Sequence, residues 1–311
     1  WYKKFSSQPH QPFFTSGILF LILFMSLFVS VYSNFLVLDN SVLTYHAYTM
    51  VFVIFIQFFL GFLFVVFPRF LIQAEIQIQE YMKQFLLYFF ASLGIFLSLI
   101  FYSKVTFIFQ ILILIAQIMS FKLLYSIHKK SIVKVKEDTK WVLISLFSGL
   151  VFHSLFIISS LNFPYAYELS RFAIDGGFYL FLFMVIFVIS QRMIPFFTTA
   201  KAPNYVANKS VNLLTIIFSL LAFKVILLAF DNAKLNLLAD IPLFIMITRE
   251  LIKWKLPFFK SPAIMWVLFL GLYWIPVAFF VSIIEWLMAF YDPSIIFEKA
   301  VIHTMALGYF L

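Results

Sequence analysis

Long, continuous apolar runs separated by short polar breaks constrain the fold of this sequence more than any other feature. Each run is about 20 residues long, the length that crosses a bilayer as an α-helix. Ten such runs lie at residues 15–38, 45–67, 84–102, 105–127, 141–161, 172–191, 210–230, 234–252, 263–290 and from 297 onward. Because they are continuous and not alternating, they are not typical of a transmembrane β-barrel. The sequence predicts an all-α, polytopic transmembrane helical bundle with about ten spans.

Composition supports this fold class and excludes several kinds of site. The sequence is 64% hydrophobic and 11% charged, whereas soluble domains are about half apolar and a quarter charged. Cysteine is absent, which excludes disulfides, thiolate metal sites and iron–sulfur clusters. The sequence begins at Trp1 and stops at Leu311 within an apolar run. We therefore expect residues 1–311 to be a single transmembrane domain that is a fragment of a longer chain.

Lysine and arginine concentrate at the N-terminus and on every second loop, most densely in the charged loop 122–140. Positively charged loops stay on the cytoplasmic side. We therefore expect a multi-pass membrane protein with a cytoplasmic N-terminus. The net charge of +9 is then explained by the lipid bilayer as partner, with no nucleic acid.

Ionisable residues within spans are costly and therefore informative. Lys224 and Asp240 have matching depths on consecutive antiparallel spans, which predicts a buried ion pair. The pair has two interpretations: it fixes helix packing, or, together with Glu285, it forms part of a transport or proton pathway.

Two histidines, His46 and His303, have similar depths on spans that enter the membrane from the same side. Imidazoles from facing helices hold haem or copper in bundles that lack cysteine. A third, His153, is expected to be neutral and hydrogen-bonded to a neighbouring helix. The glutamines within spans predict interhelical hydrogen bonds; they are Gln57, Gln110 and Gln117.

Five short stretches carry more specific patterns. They are Pro12-Phe13-Phe14 before the first span, Tyr45-His46-Ala47-Tyr48-Thr49-Met50 in the second, Arg192-Met193-Ile194-Pro195-Phe196-Phe197-Thr198 at the end of the sixth, Pro262–Trp274 in the ninth, and His303-Thr304-Met305-Ala306-Leu307-Gly308 in the tenth. In content and order they resemble the NnrS family over essentially the whole sequence. The stretch that begins at Arg192 is the most specific.

The resemblance implies a protein of the bacterial cytoplasmic (inner) membrane with about twelve helices in the complete chain, containing haem and copper and associated with nitric oxide and denitrification. Nitric oxide is therefore an expected partner. If the protein is an oxidoreductase, it also needs quinol or a periplasmic carrier as electron donor. His46 and His303 match histidines of the family motifs, so both are candidate haem or copper ligands.

Several positions depart from the family pattern, which indicates a reduced capacity for metal. Tyr48 replaces the second histidine of the first motif, Thr49 replaces its glutamate, and Phe269 replaces a histidine of the ninth span. Tyr48 either ligates as a phenolate or is an interfacial belt residue. Arg192 either snorkels to the membrane surface or binds a haem propionate, and Pro195 is expected to end the sixth helix.

The leading interpretation is a haem-binding protein of nitric oxide stress or denitrification physiology, with copper as a second candidate. Three classes stay open: a membrane oxidoreductase with an open coordination position, a binding or protective protein without turnover, and a transporter that uses Lys224, Asp240 and Glu285.

Overall fold

The computed structural model describes residues 2–38, 41–161, 163–202, 204–230, 233–292, 294–295, 297 and 299–310. These residues are 83% helical and include no β-strand. The all-α prediction is therefore confirmed.

Ten helices longer than a few turns follow one another in the described residues, and each matches one predicted apolar run. They are α1 (His10–Tyr32), α2 (Val42–Phe70), α3 (Ile78–Phe101), α4 (Ser103–Lys130), α5 (Glu137–Ser159), α6 (Ala166–Lys201), α7 (Leu213–Ala229), α8 (Ala233–Trp254), α9 (Ala263–Tyr291) and α10 (Ala300–Phe310). Within the described ranges, α1 to α6 and α9 are long and apolar enough to cross a membrane. The polytopic bundle is confirmed, and the number of spans stays a prediction.

The chain divides into two compact units, Trp1–Val185 and Ile186–Leu311. In the first unit α1 packs on α2 and α3, α3 on α4, α4 on α5, and α5 on the beginning of α6. The α1–α2 approach is close, because a Cβ added at Gly61 would lie 2.9 Å from the Cβ of Phe13. Small residues permit such approaches between transmembrane helices.

In the second unit α8 packs between α7 and α9, and α10 packs on α9. The ring of Trp274 on α9 lies directly against Gly308 on α10. Any side chain at Gly308 would therefore displace the indole.

Three π-helical segments interrupt the helices of the described residues: Met50–Ile54 in α2, Gly177–Phe183 in α6 and Ala306–Phe310 in α10. The first two pack together in the first unit. The wider π turn shifts the side chains that follow and often occurs near functional sites. The apolar pattern of the sequence did not predict these segments.

The charged segment 122–140 consists largely of helix ends. Helix α4 continues to Lys130 and α5 begins at Glu137. Between them Lys136 donates its Nζ hydrogens to the carbonyl oxygens of His128, at 3.0 Å, and Ser131, at 2.5 Å. Its cytoplasmic location stays a prediction.

Candidate functional site

His46 lies near the N-terminal end of α2 at an open cleft of about 20 Å³, room for about one water molecule. The cleft is lined mainly by apolar and aromatic side chains, namely Phe24, Leu27, Phe28, Leu38, Val42, Tyr45, Thr49 and Leu99 beside His46 itself. The imidazole is half-buried, and its centroid is 4.4 Å from that of Phe28. The imidazole therefore lies among apolar and aromatic side chains.

Tyr48 has different surroundings, as expected for a residue about 200° further around the helix. Its side chain is fully buried, and its hydroxyl is 3.0 Å from Nε2 of His153 on α5. The opposite nitrogen of His153, Nδ1, is 2.8 Å from Oε1 of Gln117 on α4. The expected interhelical hydrogen bond of His153 is confirmed, and burial places Tyr48 away from an interfacial belt.

Of the glutamines within helices, Gln57 also bonds between helices as predicted: it accepts from Ser16 on α1 at 2.5 Å and donates to Ser92 on α3 at 3.3 Å. For Gln110 the prediction is wrong. Both of its buried amide atoms are without a hydrogen-bond partner among the described residues.

His303 lies exposed on α10, and its Nδ1 is 3.0 Å from the carbonyl oxygen of Lys299. A carbonyl oxygen only accepts, so Nδ1 carries a proton, and in a neutral ring the lone pair is then on Nε2. Metal-binding histidines commonly have this second hydrogen bond, which fixes the tautomer and the orientation of the ring.

Arg192 is half-buried on α6. Contrary to expectation, Pro195 does not end this helix, which continues to Lys201. A proline at 195 removes the backbone hydrogen bond to the carbonyl of Gln191, and that carbonyl accepts instead from Lys209 Nζ.

The predicted ligands are divided between the two units. His46 and Tyr48 belong to the first unit, and Arg192 and His303 belong to the second. The meeting of the two imidazoles at one site therefore stays a prediction. Within the described residues, three or more His, Cys, Asp or Glu side chains do not gather into a metal-binding group. Phe269 is fully buried and its ring is 5.0 Å from that of Phe258.

The predicted buried ion pair is confirmed in the second unit. Lys224 Nζ on α7 is 2.5 Å from Asp240 Oδ1 on α8, and both side chains are nearly inaccessible. The other carboxylate oxygen accepts from Ser282 Oγ at 2.6 Å and Trp286 Nε1 at 3.1 Å, both on α9. Glu285 accepts instead from the backbone N–H of Phe297 at 3.2 Å. Because Asp240 has donors on two helices, these contacts favour the packing interpretation.

A buried polar cluster at the C-terminal end of α8 was not predicted. Glu250 is 2% exposed, and its Oε1 accepts from Trp254 Nε1 at 2.8 Å and from the N–H of Ser210 at 2.9 Å. Nearby, Tyr205 donates to the carbonyl of Trp254 at 2.8 Å. Burial, with a smaller contribution from Tyr273, raises the pKa of Tyr205 to about 12. The four-residue spacing of Glu250 and Trp254 on a helix is the signal that sequence reasoning overlooked among the neighbouring basic residues.

Comparison with known proteins gives one family. The family model described as NnrS protein matches residues 4–311. No curated protein and no solved structure matches the chain significantly. Since the match extends over nearly the whole sequence, the chain belongs to the NnrS family.

Proposed function

We propose that this protein binds haem in the bacterial cytoplasmic membrane and serves nitric oxide stress or denitrification physiology, with copper as a second candidate metal. Family membership and the apolar helices support a membrane protein of this type. The donor chemistry is compatible, because a chain without cysteine can still bind haem iron through imidazole, thioether or phenolate.

The observation that carries the proposal is the tautomer of His303. Its Nδ1–H donates to the Lys299 carbonyl, which in a neutral ring makes Nε2 the basic nitrogen, the arrangement common among metal-binding histidines. His46 supports the same chemistry from an apolar cleft, as expected for the wall of a haem pocket. At about 20 Å³ the cleft is far smaller than the range of about 300–1,000 Å³ that is usual for ligand pockets. A macrocycle held by His46 would therefore extend beyond these walls.

Haem would supply reversible one-electron chemistry and, where an axial position is open, a site for nitric oxide. In this proposal His46 and His303 supply imidazoles. Arg192 is assigned to a propionate only if haem lies near its end of α6. Tyr48 receives no role as a ligand, because its hydroxyl already bonds to His153.

The first experiment is a reduced-minus-oxidised absorbance spectrum of the purified complete protein, followed by titration with nitric oxide. We expect haem bands, and bands that shift with nitric oxide would support an oxidoreductase fed by quinol or a periplasmic donor. A haem spectrum insensitive to nitric oxide would support a protective protein without turnover at haem. Absence of haem from protein expressed with ample haem supply would overturn the proposal.

The ligand assignment is tested with His46→Ala and His303→Ala, each of which should lose or strongly alter the haem spectrum. His128→Ala is the matched control, because His128 lies near the charged end of α4 and bonds Thr139 Oγ1 at 3.0 Å. Native spectra in both ligand variants would reject the assignment. The transporter alternative is less well supported, since Asp240 is bonded by Lys224, Ser282 and Trp286.

A further inference from the structure

We propose that Tyr48 is a redox-active tyrosine whose phenolic proton moves to His153 when a one-electron oxidant removes an electron from the ring. The inference goes beyond the proposed haem function and does not depend on it. It rests on the geometry of three side chains on three helices of the first unit: Tyr48 on α2, His153 on α5 and Gln117 on α4.

The hydrogen bonds fix where each proton lies. Gln117 Nε2 donates to the carbonyl of Phe52 at 3.4 Å, so Oε1 is the amide atom that faces His153 and accepts. His153 Nδ1, 2.8 Å from that oxygen, must then donate. In a neutral imidazole the other nitrogen is an acceptor, so Nε2 receives the O–H of Tyr48 at 3.0 Å.

The pair is held rigidly in an apolar environment. Tyr48 and His153 are both fully buried. The Tyr48 ring stacks on Phe156 with centroids 4.5 Å apart, and the His153 ring stacks on Phe52 at 4.7 Å with an interplanar angle of 12°. Loss of an electron from a buried phenol leaves an acidic proton, which is costly to retain or to expel where water is absent. A base within hydrogen-bonding distance accepts this proton directly, and the charge then lies on the imidazolium, which keeps its hydrogen bond to Gln117.

The step balances as a coupled transfer. The O–H bond of Tyr48 breaks, an N–H bond forms at Nε2 of His153, and the electron passes to the oxidant. The products are a neutral tyrosyl radical and an imidazolium that remains bonded to Gln117. The proposal assigns the oxidant to the class of small uncharged radicals, because these can enter an apolar interior. Nitrogen dioxide is one such radical, and it accepts the electron to become nitrite.

Other fully buried tyrosines of the first unit provide internal controls. Tyr88 has its hydroxyl 3.5 Å from Ser120 Oγ, and Tyr81 donates to the carbonyl oxygen of Ser6 at 2.5 Å. A hydroxyl and an amide carbonyl are far weaker bases than imidazole. Burial alone would make the three tyrosines equivalent, whereas the proposed mechanism singles out Tyr48.

The experiment exposes the complete protein in lipid nanodiscs to nitrogen dioxide, generated from nitrite by pulse radiolysis, and freezes the sample for electron paramagnetic resonance. Histidine is labelled with ¹⁵N, so that pulsed measurements detect a tyrosyl radical next to imidazole. We expect the wild type to show this imidazole-coupled radical, Tyr48→Phe to lose it, and Tyr88→Phe to retain it. Tyr48→Phe removes only the hydroxyl and preserves the ring contacts.

His153→Gln gives a further test, because glutamine still accepts a hydrogen bond but lacks a basic nitrogen; the radical at Tyr48 should be lost. If this variant does not fold, the wild-type and tyrosine-variant spectra still decide the question. A wild-type radical without imidazole coupling, or coupling that persists in Tyr48→Phe, would overturn the proposal. Either result leaves the haem proposal intact, since that is judged by the absorbance of His46 and His303 variants.

Discussion

At the scale of single residues, hydrogen bonds give chemically similar side chains different roles. His303 and His153 are each a lone histidine in an apolar helix, and each donates through Nδ1. His303 Nδ1 bonds a backbone carbonyl on an exposed helix face, whereas His153 directs Nε2 at a buried phenol. The first arrangement suits coordination of a metal, and the second suits acceptance of a proton.

Tyr205 gives a prediction about alkaline stability. Its pKa is raised to about 12 by burial and by Tyr273, against an ordinary value near 10. The folded state therefore holds this proton more tightly, so the stabilisation is complete below pH 10 and is lost as the pH rises through 12. Tyr205→Phe should lower the free energy of unfolding by about 1 kcal/mol through the lost hydrogen bond and should weaken this alkaline loss.

Thermal unfolding in detergent at pH 7 and at pH 11 checks this prediction. Tyr125→Phe serves as the control, because Tyr125 is an exposed tyrosine on α4. Its replacement should leave the unfolding temperature unchanged at both pH values. If wild type and Tyr205→Phe lose the same stability between pH 7 and pH 11, Tyr205 does not cause the alkaline loss.

At the scale of helices, the buried ion pair joins α7 to α8. Lys224→Met should destabilise the protein by about 3–5 kcal/mol, because it leaves the Asp240 carboxylate buried without its counter-ion. Replacing both residues, as Lys224→Met with Asp240→Leu, should be milder, since only the neutral donors of Ser282 and Trp286 then lack an acceptor. Comparison of the two unfolding midpoints in the same detergent tests the pairing, which fails if the double variant is no more stable than the single one.

The contact between π-helical segments gives a second prediction at this scale. A Cβ added at Gly177 would lie 2.6 Å from Phe52 Cζ, so Gly177→Ala should cost about 1–3 kcal/mol through overpacking. Gly271→Ala is a matched control, because the nearest atom to its added Cβ is 3.8 Å away. Equal stability of the two variants would mean that the packing at Gly177 is looser than described.

The sequence predicted the order of the helices well, because each apolar run must satisfy its own backbone hydrogen bonds in a membrane. It could not predict the helix ends, since α4 and α6 continue into charged and proline-containing stretches at Lys130 and Pro195. Side-chain contacts likewise include some that the sequence predicts and some that it does not. The partners of Lys224 could be inferred from depth and charge, whereas the Tyr48–His153 bond depends on helix rotation, and a π turn follows Tyr48 immediately.

At the scale of the whole molecule, the distribution of lysine and arginine predicts which loops face the cytoplasm. The absence of cysteine makes the chain a ready background for single-cysteine labelling. Lys134 lies in the charged segment 122–140 and Lys104 lies on the opposite set of loops; both side chains are exposed. In intact spheroplasts a membrane-impermeant maleimide should label Lys104→Cys and not Lys134→Cys, and both should react once the membrane is permeabilised. The reverse pattern would invert the orientation and place His46 and His303 near the cytoplasmic surface, where a periplasmic electron donor could not reach them.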